Sequence, residues 1–189
     1  MLTRRISATF VALTAVGALA ACSDSNDSPS NAGSFNEADV TFAQDMIRHH
    51  RQATEMAALA PTRSVDVEIL TLAENIEAAQ APEIETMTGW LREWGEEVPP
   101  EMSGDMDHSG HADMPGMMSA EDMTALEGTS GREFDEMFLT MMIEHHTGAI
   151  EMAKTEENEG KYADAVKLAA TIQQEQADEI ALMEQLLGR

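Results

Sequence analysis

Residues 42–57, FAQDMIRHHRQATEMA, return 96 positions later as residues 138–153, FLTMMIEHHTGAIEMA. The register holds without a gap from Asp39 on Asp135 to Leu91 on Leu187, and 19 of these 53 aligned pairs are identical. An internal duplication constrains the fold strongly, because each copy must be a unit that buries its apolar face against its neighbours. In the first copy Phe42, Met46, His49, Ala53, Met56 and Ala60 recur at steps of three and four, and Phe138, Met142, His145, Ala149 and Met152 repeat the pattern. Those steps put the side chains on one face of an α-helix. Each copy then continues into a second stretch of helical period. The expected fold is all-α, a four-helix bundle built from two duplicated hairpins joined by a long crossover.

Local signals set the expected boundaries. The first helix starts at Asn36, with Asp39 as the acid of a capping box, and ends at Pro61. Ser64 is the expected cap of a second helix that runs to about Gly95, and Pro82 inside it should kink or divide it. Residues 96–130 form the crossover, with a short helix from Ser119 to Gly128. Ser130 and Glu133 have the form of a further capping box opening the third helix, which Gly160 ends. The fourth runs from about Lys161 to Leu187.

The seam carries unusual residue types. Where Leu or Ile would normally face a core, these helices place Met46, His49, Met56, Met142, His145 and Met152, with His50 and His146 one position aside. Thioether sulfur and imidazole nitrogen both offer lone pairs to a soft metal. Met141 stacks one turn from Met137 and His145, where the first copy has Asp45. The plain alternative is packing: methionine fills irregular cores, and a buried histidine is commonly satisfied by a hydrogen bond. Adjacent histidines that occur twice, in register with flanking methionines, favour metal. Gln80 and Glu83 lie on the inner stripe of the second helix and recur as Gln176 and Glu179. A buried carboxylate needs a partner. Reflecting the hairpin about its turn sets Glu83 nearer Phe42 than His49, so the two glutamates are expected to support the ligands from outside.

The crossover adds a second set of donors. Residues 102–118 read MSGDMDHSGHADMPGMM and offer Met106, His108, His111, Met114, Met117 and Met118 among Gly, Ser and Asp. No hydrophobic stripe accounts for them, and Gly and Pro oppose a stable helix. A biased, unstructured linker is the alternative. Ordering such a loop around an ion costs roughly 1–2 kcal/mol per fixed residue. Thioether and imidazole together suit Cu(I), while imidazole and carboxylate can also take Cu(II) or Zn(II). The loop should therefore add capacity while the helical motifs set the tightest Cu(I) site.

At the N-terminus, residues 1–21 join a basic start to an apolar run of small residues, the pattern of a secretory leader. Leu19-Ala20-Ala21-Cys22 resembles a bacterial lipobox, which makes Cys22 the expected lipidation site and membrane anchor. Cys22 is the only cysteine, so internal disulfides and cysteine-based metal sites are excluded. Residues 22–36 read as a flexible tether and residues 37–189 as the folded domain. Loss of Arg4 and Arg5 with the leader takes the formal charge from -24 to -26. Nucleic acid is a poor partner for such a chain, whereas cations gather around it.

The repeated Phe-x-x-x-Met-Ile-x-His-His-x-x-Ala-x-Glu-Met-Ala, with the later Gln-x-x-Glu-Ile-x-x-Met, resembles domain of unknown function 305 across residues 37–188. That resemblance implies a ferritin-like fold, a secreted or envelope setting and copper binding or resistance. It implicates Met46, His49, His50, Met56, Met142, His145, His146 and Met152. Arg48 and Glu144 stand where the family often has proline. The leading functional expectation is an extracytoplasmic copper protein, Cu(I) favoured and Cu(II) open, that sequesters the metal or hands it to a partner protein. A ferritin-like redox enzyme and a metal-free helical interaction module are the alternatives. Di-iron sites of that fold use Glu-x-x-His, and here Met46, Ile47, Met142 and Ile143 precede the histidines by three.

Overall fold

In the computed structural model, residues 33–100 and 114–189 are described. The leader, Cys22, most of the tether, and Met106, His108 and His111 fall outside them. Among the described residues the structure is entirely helical: α1 (Glu37–Arg63), α2 (Val67–Trp94), α3 (Ala120–Gly128), α4 (Arg132–Glu159) and α5 (Ala163–Leu187). No described helix is long and apolar enough to cross a membrane. Four long helices make the bundle, and α3 is a short element of the crossover that packs on α1 and α4.

Each hairpin packs internally, α1 on α2 and α4 on α5, and the hairpins meet chiefly through α1 and α4. These two central helices run antiparallel. The Asn36 side chain at the start of α1 donates to the Glu159 carbonyl at the end of α4, 2.8 Å away. At the other end, the Gly131 N–H donates to the Arg63 carbonyl at 2.6 Å. Each helix thus satisfies a carbonyl that the end of the other leaves without an intrahelical donor.

Several boundaries differ from the sequence expectation. α1 runs through Pro61 to Arg63, because an exposed proline in the last turn removes only one helical N–H. Ser64 does not cap α2; its hydroxyl accepts from the Asp66 N–H, and Asp66 is the cap, accepting from the Glu68 N–H. Pro82 is exposed and α2 continues past it undivided. Ser130 does not cap α4. Gly131 takes that position at φ 63°, a left-handed turn that sends the chain back to Arg63. The box at Asn36/Asp39 forms as expected, and Ser119 and Asp122 form another at the start of α3. Residues 33–36 lie on the bundle, with Phe35 stacked on Trp94 at 4.7 Å.

The core falls into two apolar clusters. One gathers Met56, Ile69, Leu72, Phe134, Phe138, Met142 and Met183 around the end of α1 and the start of α4. The other gathers Phe42, Met46, Ile47, Met87, Leu91, Ala149 and Ile172 around the opposite end. In every long helix the residues between the two sets are polar: His49 and His50, Gln80 and Glu83, His145 and His146, Gln176 and Glu179. The duplication therefore builds a slab of imidazole, amide and carboxylate across the middle of an apolar bundle.

Candidate metal centre

All four histidines are fully buried. His49 and His145 are equivalent in the two copies, and their rings meet at 3.7 Å where α1 crosses α4. His50 and His146 turn outward toward α2 and α5. His50 Nε2 lies 2.7 Å from Glu83 Oε2, and His146 Nε2 lies 2.5 Å from Glu179 Oε2. The duplication thus produces the same His–Glu pair twice, and Glu83 meets His50 rather than the level of Phe42. The extension of α1 beyond Pro61 moves the turn later, and a glutamate side chain spans the remaining fraction of a turn.

The environment holds the His49, His50 and His145 imidazoles neutral. Burial pushes His49 down to about 3, with the neighbouring His50 adding to it. Burial and His146 likewise take His50 to about 3, and His145 lies well below the usual histidine range for the same reason. The protons can then be placed. His49 Nε2 is 3.1 Å from the Pro115 carbonyl, which can only accept, so Nε2 carries the hydrogen and Nδ1 keeps its lone pair. With Glu83 ionised, His50 donates from Nε2 in the same way. Nδ1 has no hydrogen-bond partner on any of the four rings, and His145 has none on either nitrogen. Buried nitrogen lone pairs without partners are costly in a structural core and useful in a metal site. A carboxylate or carbonyl on the far nitrogen is how metal-binding histidines are commonly oriented.

Glu83 is pushed up to about 7, first by burial and then by the like charge of Glu179. The two carboxylates face each other across a groove between α2 and α5. Among the described residues no three His, Cys, Asp or Glu side chains converge to hold an ion by themselves. A site here needs sulfur as well, and the thioethers are adjacent: Met46 and Met142 are buried one turn before the histidine pairs on the same helices. Met56 is fully buried and Met152 partly, each farther along α1 or α4 from the histidines, and Met141, one turn before His145, is nearly buried.

The crossover divides into two parts. Met106, His108 and His111 lie outside the described residues. Met114, Met117 and Met118 do not belong to a free loop: Met118 is buried, Met114 and Met117 are partly so, and the segment is docked on the histidine layer. The Met118 N–H donates to Gln52 Oε1 at 2.7 Å, and Gln52 Nε2 donates to the Met118 carbonyl at 2.9 Å. Pro115 and Gly116 press on Gly148, where an added Cβ would sit 2.0 Å from the Pro115 oxygen. Gly116, at φ 74°, is equally confined by the Glu144 and His145 carbonyls. Sequence reading missed Gln52 and Gly148, which carry no metal chemistry. The one available signal was that they are equivalent positions two residues after the repeated histidine pairs, yet differ completely.

Two antiparallel hairpins closing on a shared histidine layer define a ferritin-like, all-α bundle. The model of the family Domain of unknown function (DUF305) matches residues 39–187, and the chain belongs to that family. A DUF305 protein from Streptomyces coelicolor is 34% identical, with TM-score 0.70, over 80% of this chain and 91% of that one. A DUF305 fragment from Deinococcus radiodurans is 31% identical, with TM-score 0.72, over 82% and 97%. CopM in its Cu(II)-bound form is 30% identical, with TM-score 0.67, over 79% and 95%. CopM has also been solved in Cu(I)-bound, Ag-bound and apo forms. No protein of curated function gives a significant match.

Proposed function

We propose that this protein binds copper as cargo, Cu(I) in preference to Cu(II), and sequesters it or passes it to a partner protein outside the cytoplasm. One observation carries the reading. Four buried imidazoles present unpartnered Nδ1 atoms, three of the rings are oriented through Nε2, and methionines stand one turn away. Neutral imidazole with thioether is a donor set for a soft, low-charge ion, whereas hard cations prefer carboxylate and water. The copper-bound and silver-bound forms of CopM, at about the same level of identity throughout, support the same choice of metal. The helical ligands are His49, His50, His145 and His146 with Met46 and Met142. Met56, Met141 and Met152 serve as further sulfur along the same helices. Met106, His108, His111, Met114, Met117 and Met118 of the crossover supply capture and capacity.

Competition titration of the protein with Cu(I), Cu(II), Zn(II) and Fe(II), with stoichiometry by native mass spectrometry, tests this. Cu(I) should bind tightest. Deletion of residues 101–113, which spares the docked Pro115 and Met118, should lower the number of ions bound and leave the tightest site. A chain that prefers Zn(II) would refute the copper reading, and one that prefers Fe(II) would refute it and revive a redox enzyme.

The extracytoplasmic setting rests on the leader-like residues 1–21, and a Streptomyces coelicolor relative is described as secreted. Anchoring through Cys22 is tested by fatty-acid labelling in bacteria. The wild type should incorporate label and Cys22→Ser should not; equal labelling would remove the anchor.

A further inference from the structure

His50 and His146 are sealed from solvent, and the α3 side of the layer is closed by the docked crossover. On the α2–α5 side there is instead an open groove of 290 Å³ lined by Glu83 and Glu179, the carboxylates that touch the two histidines. Its walls include Gln80 and Gln176, each only 3% exposed. Both amide atoms of Gln80 and the carbonyl of Gln176 lack a hydrogen-bond partner. Unpaired buried amides are unfavourable unless something visits them. Farther out, Glu175 and Asp178 of α5 line the same groove. Their equivalents in the first copy are Ala79 and Pro82, so the acidic rim belongs to one hairpin alone.

We propose that this groove is the entrance by which a small cation reaches the histidines: Glu175 and Asp178 draw it in, Glu83 and Glu179 take it up and pass it to His50 and His146, and the buried amide oxygens of Gln80 and Gln176 steady it during the transfer. The ordering follows from depth. The rim acids are exposed, the inner glutamates are half-buried and bridge groove and imidazole, and the amides beside them are buried. A negative rim above low-dielectric walls raises the local cation concentration and the association rate, and does so less as salt rises. A backbone carbonyl cannot serve here, because the helices occupy theirs; side-chain amides supply neutral oxygen that an ion can leave easily. The proposal rests on the copper reading above and adds the route and its cationic selectivity.

The experiment uses the full chain and Cu(I) supplied as its acetonitrile complex, with unbound metal trapped at intervals by bathocuproine disulfonate. In E175Q/D178N the loading rate should fall roughly fivefold at low salt and return to the wild-type value at high salt, with equilibrium affinity unchanged. In Q80L/Q176L loading should slow at both salts, again with the same end-point. The control, E121Q/E127Q on exposed α3, removes the same charge from the other face and should load at the wild-type rate. Wild-type rates in both groove variants, or equal slowing in the α3 control, would overturn the entrance. Loss of affinity rather than rate in Q80L/Q176L would also overturn it, by making the amides ligands. Because E175Q/D178N alters only exposed side chains, it decides the matter even if the buried pair misfolds. Failure of the copper reading looks different: the tight site would survive replacement of all four histidines, whatever the loading rates.

Discussion

The two copies of the repeat agree where the chemistry is and disagree where the crossover lies. His49/His145, His50/His146, Gln80/Gln176 and Glu83/Glu179 are identical pairs, and the structure gives both histidine–glutamate pairs the same contact. Three residues past His49 and His145 the copies differ fully: Gln52 in one, Gly148 in the other. The reason is geometric. Two hairpins of a duplicated sequence can share a layer of equivalent residues, but only one crossover joins them and it must pass over one face. Gln52 offers that crossover two hydrogen bonds, and Gly148 offers it the absence of a side chain. Symmetry is kept where donors converge and abandoned where the chain covers them.

The comparison breaks most sharply at the histidines. If the layer is one shared site, replacing His49 and His50 by Ala should weaken Cu(I) binding by on the order of a hundredfold or more, and replacing His145 and His146 should do the same. Stoichiometry of the tight class should then fall from full to none in either variant, read by chelator competition with helicity checked by circular dichroism. If each copy instead holds its own ion, either double substitution would halve the stoichiometry and leave the remaining affinity intact. The ring contact between His49 and His145 favours the shared site.

Much of this was legible beforehand, for physical reasons. The repeat and its three- and four-residue steps set the hairpins, and the seam placed Met46, His49, Met142 and His145 inward because helical period alone decides which face is shared. The recurrence of Gln80 and Glu83 marked them as more than surface polar residues. Their partner was not legible, since a mirrored hairpin register carries an uncertainty of about a turn, and the helix end at Arg63 shifts it. Docking of Pro115–Met118 was also hidden. Composition reports that a segment is rich in Gly, Pro and Met, but not that a glycine a few tens of residues away leaves room for its backbone.

The covered face gives the next effect in size. Gly148→Ala sets a Cβ against backbone atoms of Pro115 and Gly116, which cannot swing aside as a side-chain end could. Overpacking of that kind costs about 1–3 kcal/mol. Gln52→Ala leaves the buried Met118 N–H and carbonyl without partners, at about 1–3 kcal/mol for an unsatisfied group. Chemical denaturation should show both losses. Both variants should also free His49 Nε2 from the Pro115 carbonyl, so a shift in the His49 imidazole resonances in NMR should accompany them. Substituting each copy's residue for the other's sharpens the contrast: Gln52→Gly should resemble Gln52→Ala, whereas Gly148→Gln should be worse than Gly148→Ala. If the two exchanged positions tolerate each other's residue, the crossover does not dictate the asymmetry.

The smallest expected effect lies at the bundle end, where the copies differ again. Asp39 and Asp135 are equivalent, but Asp39 faces Glu156 while the equivalent of Glu156 is Ala60. Asp39 accepts from the Lys161 and Tyr162 N–H groups at 2.9 and 2.8 Å and so caps the start of the second hairpin's outer helix. Its carboxyl is held below the ordinary range: burial opposes this, but the backbone donors outweigh it. Glu156 is pushed up to about 8 by burial and then by the Asp39 carboxylate, which its protonated form can meet as a donor. A group whose folded value is raised above the ordinary 4.5 contributes stability that is fully present below that value and is lost as pH climbs through about 8. Thermal stability of the wild type should therefore carry a downward slope between about pH 4.5 and 8 from this pair. Glu156→Gln keeps a donor for Asp39 at every pH and should flatten that slope, with its largest advantage at and above pH 8. Asp39 contributes in the opposite sense: its stabilisation is present above the ordinary 3.8 and is lost as pH falls from there through its lowered value, so the two windows do not overlap. An unchanged slope in Glu156→Gln would mean that the pair is solvated in solution, and that this end of the bundle differs from its counterpart in residues but not in energetics.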